Sequence, residues 1–351
     1  MATAAAVFLI GAFILYWPAL QAPFLFDDLY LVFDNRPILS LGNLPAMLHH
    51  NRPLVILSYA INYAWGGYAP LGYHAVQVAL HGLNAWLVAV VFLALARRWG
   101  GAAGAAAATL WWALGAGAVF LANPLLSMAV VLVSARSELL CAGFYLLGLI
   151  LYLRQRDRPA GIGWLGVTAA YLAAGLSKEM AVTFPAACLL IALLDGRTLR
   201  QIWREEKKLW LALAVVTTAL LMKVLQFDWG ETVGGGQLPF TRWEYFLTQV
   251  TLVARQAGVI LLSLPGWLCA DPDYPAVRSL LDLRLLASLA FWAAALAGLV
   301  WAWRRRRRLV ALAGVMYPLA GAPTSSVIPI ADPLMEYRIY VPAVFLAMLI
   351  A

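Results

Sequence analysis

The sequence predicts an all-α, polytopic membrane helix bundle, and three observations predict it. Of 351 residues, 64% are hydrophobic and only 12% charged, with a mean hydropathy of +0.81. A soluble globular chain carries about 25% charged residues, so this one has too little charge to cover a water-facing surface. Long runs carry no charge at all, from Met1 to Phe26 and from Trp99 to Ala135. A helix crossing the hydrocarbon core needs roughly 20 apolar residues. Finally, Lys and Arg fall in compact clusters between such runs, the pattern that sets membrane orientation.

Taken in order, apolar spans are expected at 3–21, 75–96, 102–122, 138–153, 160–177, 180–195, 209–226, 284–303, 309–323 and 339–351, about ten transmembrane helices. The first run lacks a basic leader and a clear small-residue cleavage site, so it reads as an uncleaved span rather than a signal peptide. The last stops at Ala351 after a short apolar stretch, which reads as a fragment or as a short final helix. The basic clusters are Arg97–Arg98, then Arg154, Arg156 and Arg158, then Arg197 to Lys208, and Arg304 to Arg308. Strict alternation places all four on one side, with 15 of the 25 Lys and Arg but only 4 of the 17 Asp and Glu. That side is expected to be cytoplasmic, and the arginine run to be a topology anchor at anionic lipid rather than a nucleic-acid patch. Residues 245–264 are apolar enough to span but contain Arg255 and Gln256; a crossing there would put Arg304 to Arg308 outside. The segment is therefore expected to be re-entrant or interfacial.

The whole chain, 1–351, reads as a single membrane domain with no soluble domain. Outer loops are expected at 22–73, 227–284 and about 324–338. Cys141, Cys188 and Cys269 are too few for a disulfide framework and lack metal-ligand spacing.

Ionisable groups beside membrane spans are expensive, so each needs a reason. Asp27, Asp28, Arg52, His74, His81, Arg136, Glu138, Lys178, Glu179, Glu336 and Arg338 come from separate chain regions yet fall at similar depth on the outer side. Adjacent carboxylates such as Asp27–Asp28 can act as a base, bind a divalent cation, or simply be a solvated helix end. Arg52 suits a phosphate or a lipid headgroup. His74 and His81 lie two helical turns apart, as core histidines or as contacts to phosphate or sugar hydroxyls; no third ligand makes a zinc site of them. Arg136–Glu138 and Lys178–Glu179 read as internal ion pairs or as a polar wall. Arg338 can snorkel or hold phosphate. Trp65, Tyr68, Trp229, Trp243 and Trp267 form an interfacial belt or a sugar-stacking surface.

The ordered series Phe26-Asp27-Asp28, Asn51-Arg52-Pro53-Leu54, Gly72-Tyr73-His74 with His81 and Asn84, Ser134 to Glu138, Leu176 to Glu179, Tyr245 to Gln249, Ser325-Ser326 and Glu336-Tyr337-Arg338-x-Tyr340 resembles one group of the GT-C glycosyltransferases. That group holds the transmembrane O-mannosyltransferases that carry tetratricopeptide repeats, and their prokaryotic relatives. The resemblance implies a GT-C-like bundle and a glycosyltransferase, inverting as a rule. It would move a mannose-like sugar from a polyprenyl-phosphate donor to a protein or lipid/glycan acceptor. The implied location is the outer face of a bacterial or archaeal cell membrane. Asp27 and Asp28 match the acids after the first span that the family uses catalytically, with a divalent cation, if any, at the same pair. Arg52, His74, His81, Arg136, Glu138, Lys178, Glu179, Glu336 and Arg338 become candidates for the donor phosphate and substrate. Two features depart from the family: the repeats are absent, and the stretch around Arg255 lacks the expected aromatic-Leu-Arg pattern. A transporter or lipid flippase and a non-catalytic assembly subunit are the competing readings; the clustering of ionisable groups at one boundary, rather than at midplane, favours an enzyme.

Overall fold

A computed structural model describes residues 1–100, 106–157, 161–226, 238–262, 274–330 and 332–350. Trp229, Trp267 and Cys269 lie outside them. The described residues form helices and connecting turns with no strand. The helices are α1 (Ala2–Leu15), α2 (Asp27–Phe33), α3 (Leu44–Leu48), α4 (Pro53–Gly66), α5 (Pro70–Trp99), α6 (Ala106–Ala122), α7 (Ser127–Val131), α8 (Arg136–Asp157), α9 (Gly163–Ser177), α10 (Phe184–Leu194), α11 (Leu199–Gln226), α12 (Arg242–Leu262), α13 (Leu283–Arg304), α14 (Arg308–Gly321) and α15 (Tyr340–Ile350).

Among the described residues, five helices are long and apolar enough to cross a membrane, or six if α6 and the Pro124–Val131 segment, bent by 51°, count as one span. The ten-span expectation exceeds this number for a geometric reason. Several apolar runs divide their length between an α-helix and a tighter turn. The first run gives 14 residues to α1 and then a 3-10 turn at Trp17–Gln21, opened by Pro18. At 1.5 Å per residue such a helix rises about 21 Å, short of the roughly 30 Å hydrocarbon core. Likewise Glu179–Thr183 is a 3-10 turn ahead of the 11-residue α10, with Pro185 in its first turn.

The centre of the bundle is α5, α8 and α15. Helix α15 is buried from Tyr340 to Met348 and packs on α14, α6, α8 and α12. Small residues let the first helix approach closely. A Cβ on Gly82 of α5 would sit 3.0 Å from the Phe8 carbonyl oxygen, and one on Gly117 of α6 would sit 2.6 Å from both Ala85 O and Phe8 Cζ. Close backbone approach is what holds helices together where lipid removes the hydrophobic difference between inside and outside.

One end of the bundle carries an ion-pair network. Arg98 at the end of α5 donates through Nε to Asp195 Oδ2 at 2.8 Å and also pairs with Asp157. Arg156 Nη2 reaches the same Asp195 oxygen at 2.8 Å, Trp99 Nε1 donates to Asp195 Oδ1 at 2.7 Å, and Arg197 pairs with Glu205 and Glu206. The ends of α5, α8 and α10 and the start of α11 thus meet at one place. Arg98, Arg156 and Arg197, from three of the basic clusters, share this end, and the candidate site residues lie at the other ends of α8 and α9.

Of the 245–264 segment, the described part, 245–262, belongs to a 21-residue helix, α12, that is long and apolar enough to cross a membrane. Val277 N donates to Thr248 Oγ1 at 2.8 Å, and Tyr274 OH donates to Thr251 Oγ1 at 3.2 Å. Residues 274–277, ahead of α13, thus lie beside the 248–251 part of α12, which by length and composition counts among the helices that could cross, where a re-entrant or interfacial segment was expected.

Candidate functional site

A cavity of about 290 Å³ opens at the end of the bundle opposite the ion-pair network. Five chain regions wall it: Asp27 and Leu31 of α2, Arg52, the Ser134–Ser137 turn, Lys178–Glu179, and the 323–338 stretch with Tyr337 and Arg338. Val224, near the end of α11, completes it. Leu31, Val224, Pro323, Ile328 and Ile330 contribute apolar lining, and the acids and bases contribute polar lining. Five sequence-nominated residues share this space: Asp27, Arg52, Lys178, Glu179 and Arg338.

Asp27 is exposed at the first position of α2. The residue before it, Phe26, has φ 50° and ψ −124°. That conformation suits glycine in a tight turn and is strained for a side chain as large as Phe. The turn brings the chain round so that Asp27 faces the cavity while Asp28 turns away. Asp28 is fully buried; its Oδ1 accepts from Ser134 N at 2.6 Å and its Oδ2 from Leu25 N at 3.3 Å. The two acids separate: one lines the cavity, the other pins α2 to the turn that leads into α8. Since Asp28 spends its oxygens on backbone amides, the pair does not offer two free carboxylates to a divalent cation. Among the described residues no three His, Cys, Asp or Glu side chains come together as a metal would need.

The three cations of the cavity differ in their partners. Arg52 forks onto Glu179, Nε to Oε1 at 3.1 Å and Nη2 to Oε2 at 2.9 Å, with Asn51 Nδ2 adding 3.3 Å to Oε1. Burial works against the Arg52 charge, but Glu179 outweighs it and raises the pKa above the ordinary arginine value. His50 beside it is pushed down, first by burial and then by the Arg52 and Lys223 charges. A neutral His50 can accept the Arg52 backbone N–H at its Nδ1, 3.1 Å away. Lys178, 4% exposed, donates to Glu138, which is fully buried. Arg338 donates to the Asp332 backbone carbonyl and lies 5.9 Å from the Tyr337 ring centre; among the described residues it makes no ion pair. The Tyr337 ring also stands 5.5 Å from the Lys178 ammonium.

Other nominated residues lie away from this cavity. Arg136 is wholly buried. Its Nε donates to Gln77 Oε1 at 3.1 Å, Nη1 to Asn62 Oδ1 at 2.6 Å and Nη2 to Tyr73 O at 3.0 Å, and the guanidinium lies 4.7 Å from the Tyr59 ring centre. These acceptors use its fork to join α4, α5 and α8, so no donor is left pointing at a phosphate. His81 accepts or donates at both nitrogens, to Tyr340 OH at 2.7 Å and Leu121 O at 3.1 Å, and is a core residue. His74 is buried at 6.3 Å from the Phe24 ring centre. Glu336 is buried at the start of the Glu336–Ile339 turn and does not line the cavity. Trp65 is exposed and Trp243 stacks on Phe246, while Tyr68 stacks on Phe33; none of the three lines the cavity.

Sequence reading did not single out Tyr337 or Val224. Tyr337 lay inside a quoted motif, between two nominated charges. An aromatic flanked by acid and base at a span boundary is the signal that would have found it.

Comparison with known proteins aligns the chain along most of its length. It is 30% identical to protein O-mannosyl-transferase Tmtc2 of Drosophila melanogaster over 322 residues, 83% of this chain and 33% of that protein. It is 34% identical to Tmtc1 of the same organism over 200 residues, 52% of this chain and 22% of the relative. With Homo sapiens TMTC3 the identity is 24%, covering 96% of this chain and 40% of the relative. The chain thus spans between about a fifth and two fifths of the curated relatives it matches. No family model and no solved structure matches.

Proposed function

From its homology to the TMTC protein O-mannosyl-transferases, we propose that this chain is the membrane part of a GT-C-like mannosyltransferase. It takes the sugar from a polyprenyl-phosphate donor and passes it to a protein hydroxyl on the non-cytoplasmic face. The observation that carries the reading is the shared cavity. One carboxylate and one guanidinium that make no ion pair among the described residues, Asp27 and Arg338, line it together with apolar residues suited to a lipid tail.

In the proposed step the acceptor oxygen attacks the anomeric carbon from the face opposite the phosphate. The C–O bond to phosphate breaks, and its electron pair leaves with the phosphate. The hydroxyl proton passes to the Asp27 carboxylate, the general base. Arg338, with Lys178 beside it, meets the charge that grows on the departing phosphate, the role that gives preorganised cations their value in a site screened from water. Arg52 and Glu179, locked on each other, shape the wall. Asp28 holds α2 in place rather than reacting. No step runs through a metal.

The test uses the purified chain in detergent with labelled mannose on polyprenyl phosphate, or on a nucleotide. Transfer to protein from the lipid-linked sugar, lost in Arg338→Gln, is the expected result. Transfer from the nucleotide sugar alone would overturn the reading.

A further inference from the structure

We propose that Glu179 in the cavity wall and Glu138 behind it lower the net positive charge of the cavity, so that it releases the phosphate product after sugar transfer. This rests on the donor being a polyprenyl phosphate sugar.

The argument begins with a charge difference that the reaction itself creates. A sugar joined to a lipid through one phosphate is a phosphodiester of charge −1. Once the sugar leaves, the lipid carries a phosphate monoester, whose second pKa is about 6 and whose charge at neutral pH lies between about −1.5 and −2. Any cavity that holds the donor by positive charge therefore holds the product more strongly. Product release sets turnover in many enzymes.

Three cations face this cavity, but two of them are answered from within the protein. The Arg52 fork closes on Glu179, and Lys178 is held by Glu138. Glu138 is not itself a lining residue: it stands behind Lys178 on α8 and is wholly buried. Its Oε2 is buried with no hydrogen-bond partner. A half-satisfied buried carboxylate is costly, and packing alone would be met better by a neutral or apolar side chain at that position. What such a side chain would not supply is a fixed negative charge one atom behind the Lys178 ammonium. With both pairs intact, the charges left unpaired among the described lining residues are the Arg338 cation and the Asp27 carboxylate, so the cavity keeps no surplus of positive charge with which to hold a dianion. Glu138 is thus a positioning residue that acts through Lys178, and Glu179 does the same through Arg52.

Removing one acid leaves one more cation facing the phosphate. At an effective dielectric near 20 and about 8 Å, a unit of charge changes an interaction enough to shift affinity by at least tenfold. The effect is larger for a dianion than for a monoanion.

The experiment measures binding of farnesyl phosphate, a monoester, and of farnesyl methyl phosphate, a diester, to the purified chain in detergent at neutral pH. Glu138→Gln is expected to bind the monoester about tenfold more tightly than the unsubstituted chain, with a smaller gain for the diester and a lower kcat. Glu138→Asp, which keeps the charge, is expected to restore the original ratio. Should Glu138→Gln fail to fold, judged by its melting transition, Glu179→Gln carries the same expectation through Arg52. Equal or weaker monoester binding in the folded glutamine variant overturns the inference while leaving the proposed function standing. If the unsubstituted chain binds neither probe, the proposed function falls with it.

Discussion

At the scale of single residues, burial separates two kinds of charge that look alike in the sequence. Arg136 and Arg338 each precede an apolar run, and both were nominated for phosphate. Arg136 has its donors taken by Gln77, Asn62, Ser58 and Tyr73 and no exposed surface, whereas Arg338 lines the cavity. Replacing Arg136 with Met would leave those acceptors unpaired in an apolar surrounding. The expected loss is about 1–3 kcal/mol for each buried acceptor left unpaired, seen as a marked drop in melting temperature in detergent. Arg338→Gln is expected to keep the melting temperature and lose donor affinity. Asp28 makes the same point among the acids: Asp28→Asn is expected to weaken folding by disturbing the Ser134 and Leu25 amides. None of this was legible in the sequence, because an ionisable residue at a span end reads the same whether it faces a cavity or a packed core.

Helices and turns come next. Apolar runs mark the order of the helices and their approximate places. They did not give lengths, because a run cannot tell α-helix from the 3-10 turns at Trp17–Gln21 and Glu179–Thr183. Nor did they show how tightly α1 seats on its neighbours, since a glycine among alanines carries no signal of its own. The close approach at Gly117 supplies a test. Gly117→Val would drive a side chain into Phe8 and the Ala85 carbonyl. Overpacking of this kind costs about 1–3 kcal/mol, so a lower melting temperature is expected. Gly115→Val is the control: a Cβ there meets nothing within 4 Å, and no change is expected.

For the whole molecule, charge asymmetry and geometry agree on two ends. Arg98, Arg156 and Arg197, from three of the basic clusters, meet in one network with Asp195 and Glu206, and the cavity lies at the opposite ends of α8 and α9. Legibility was greatest here, because lipid imposes so strong a rule on where Lys and Arg fall. The spatial meeting of Asp27, Lys178 and Arg338 was less accessible: they are far apart in sequence, and only folding joins them. Single cysteines at position 30 and at position 306, in a background with Cys141, Cys188 and Cys269 replaced, are expected to react with an impermeant reagent from opposite sides of the membrane. The central claim is that Asp27 takes the acceptor proton in a sugar transfer at this cavity. Its most direct measurement is the rate of mannose transfer from polyprenyl phosphate mannose by Asp27→Asn. The account predicts a kcat lower by at least about 100-fold, the scale of general-base catalysis, with donor binding and melting temperature retained. Transfer at the original rate by a folded Asp27→Asn chain would contradict it.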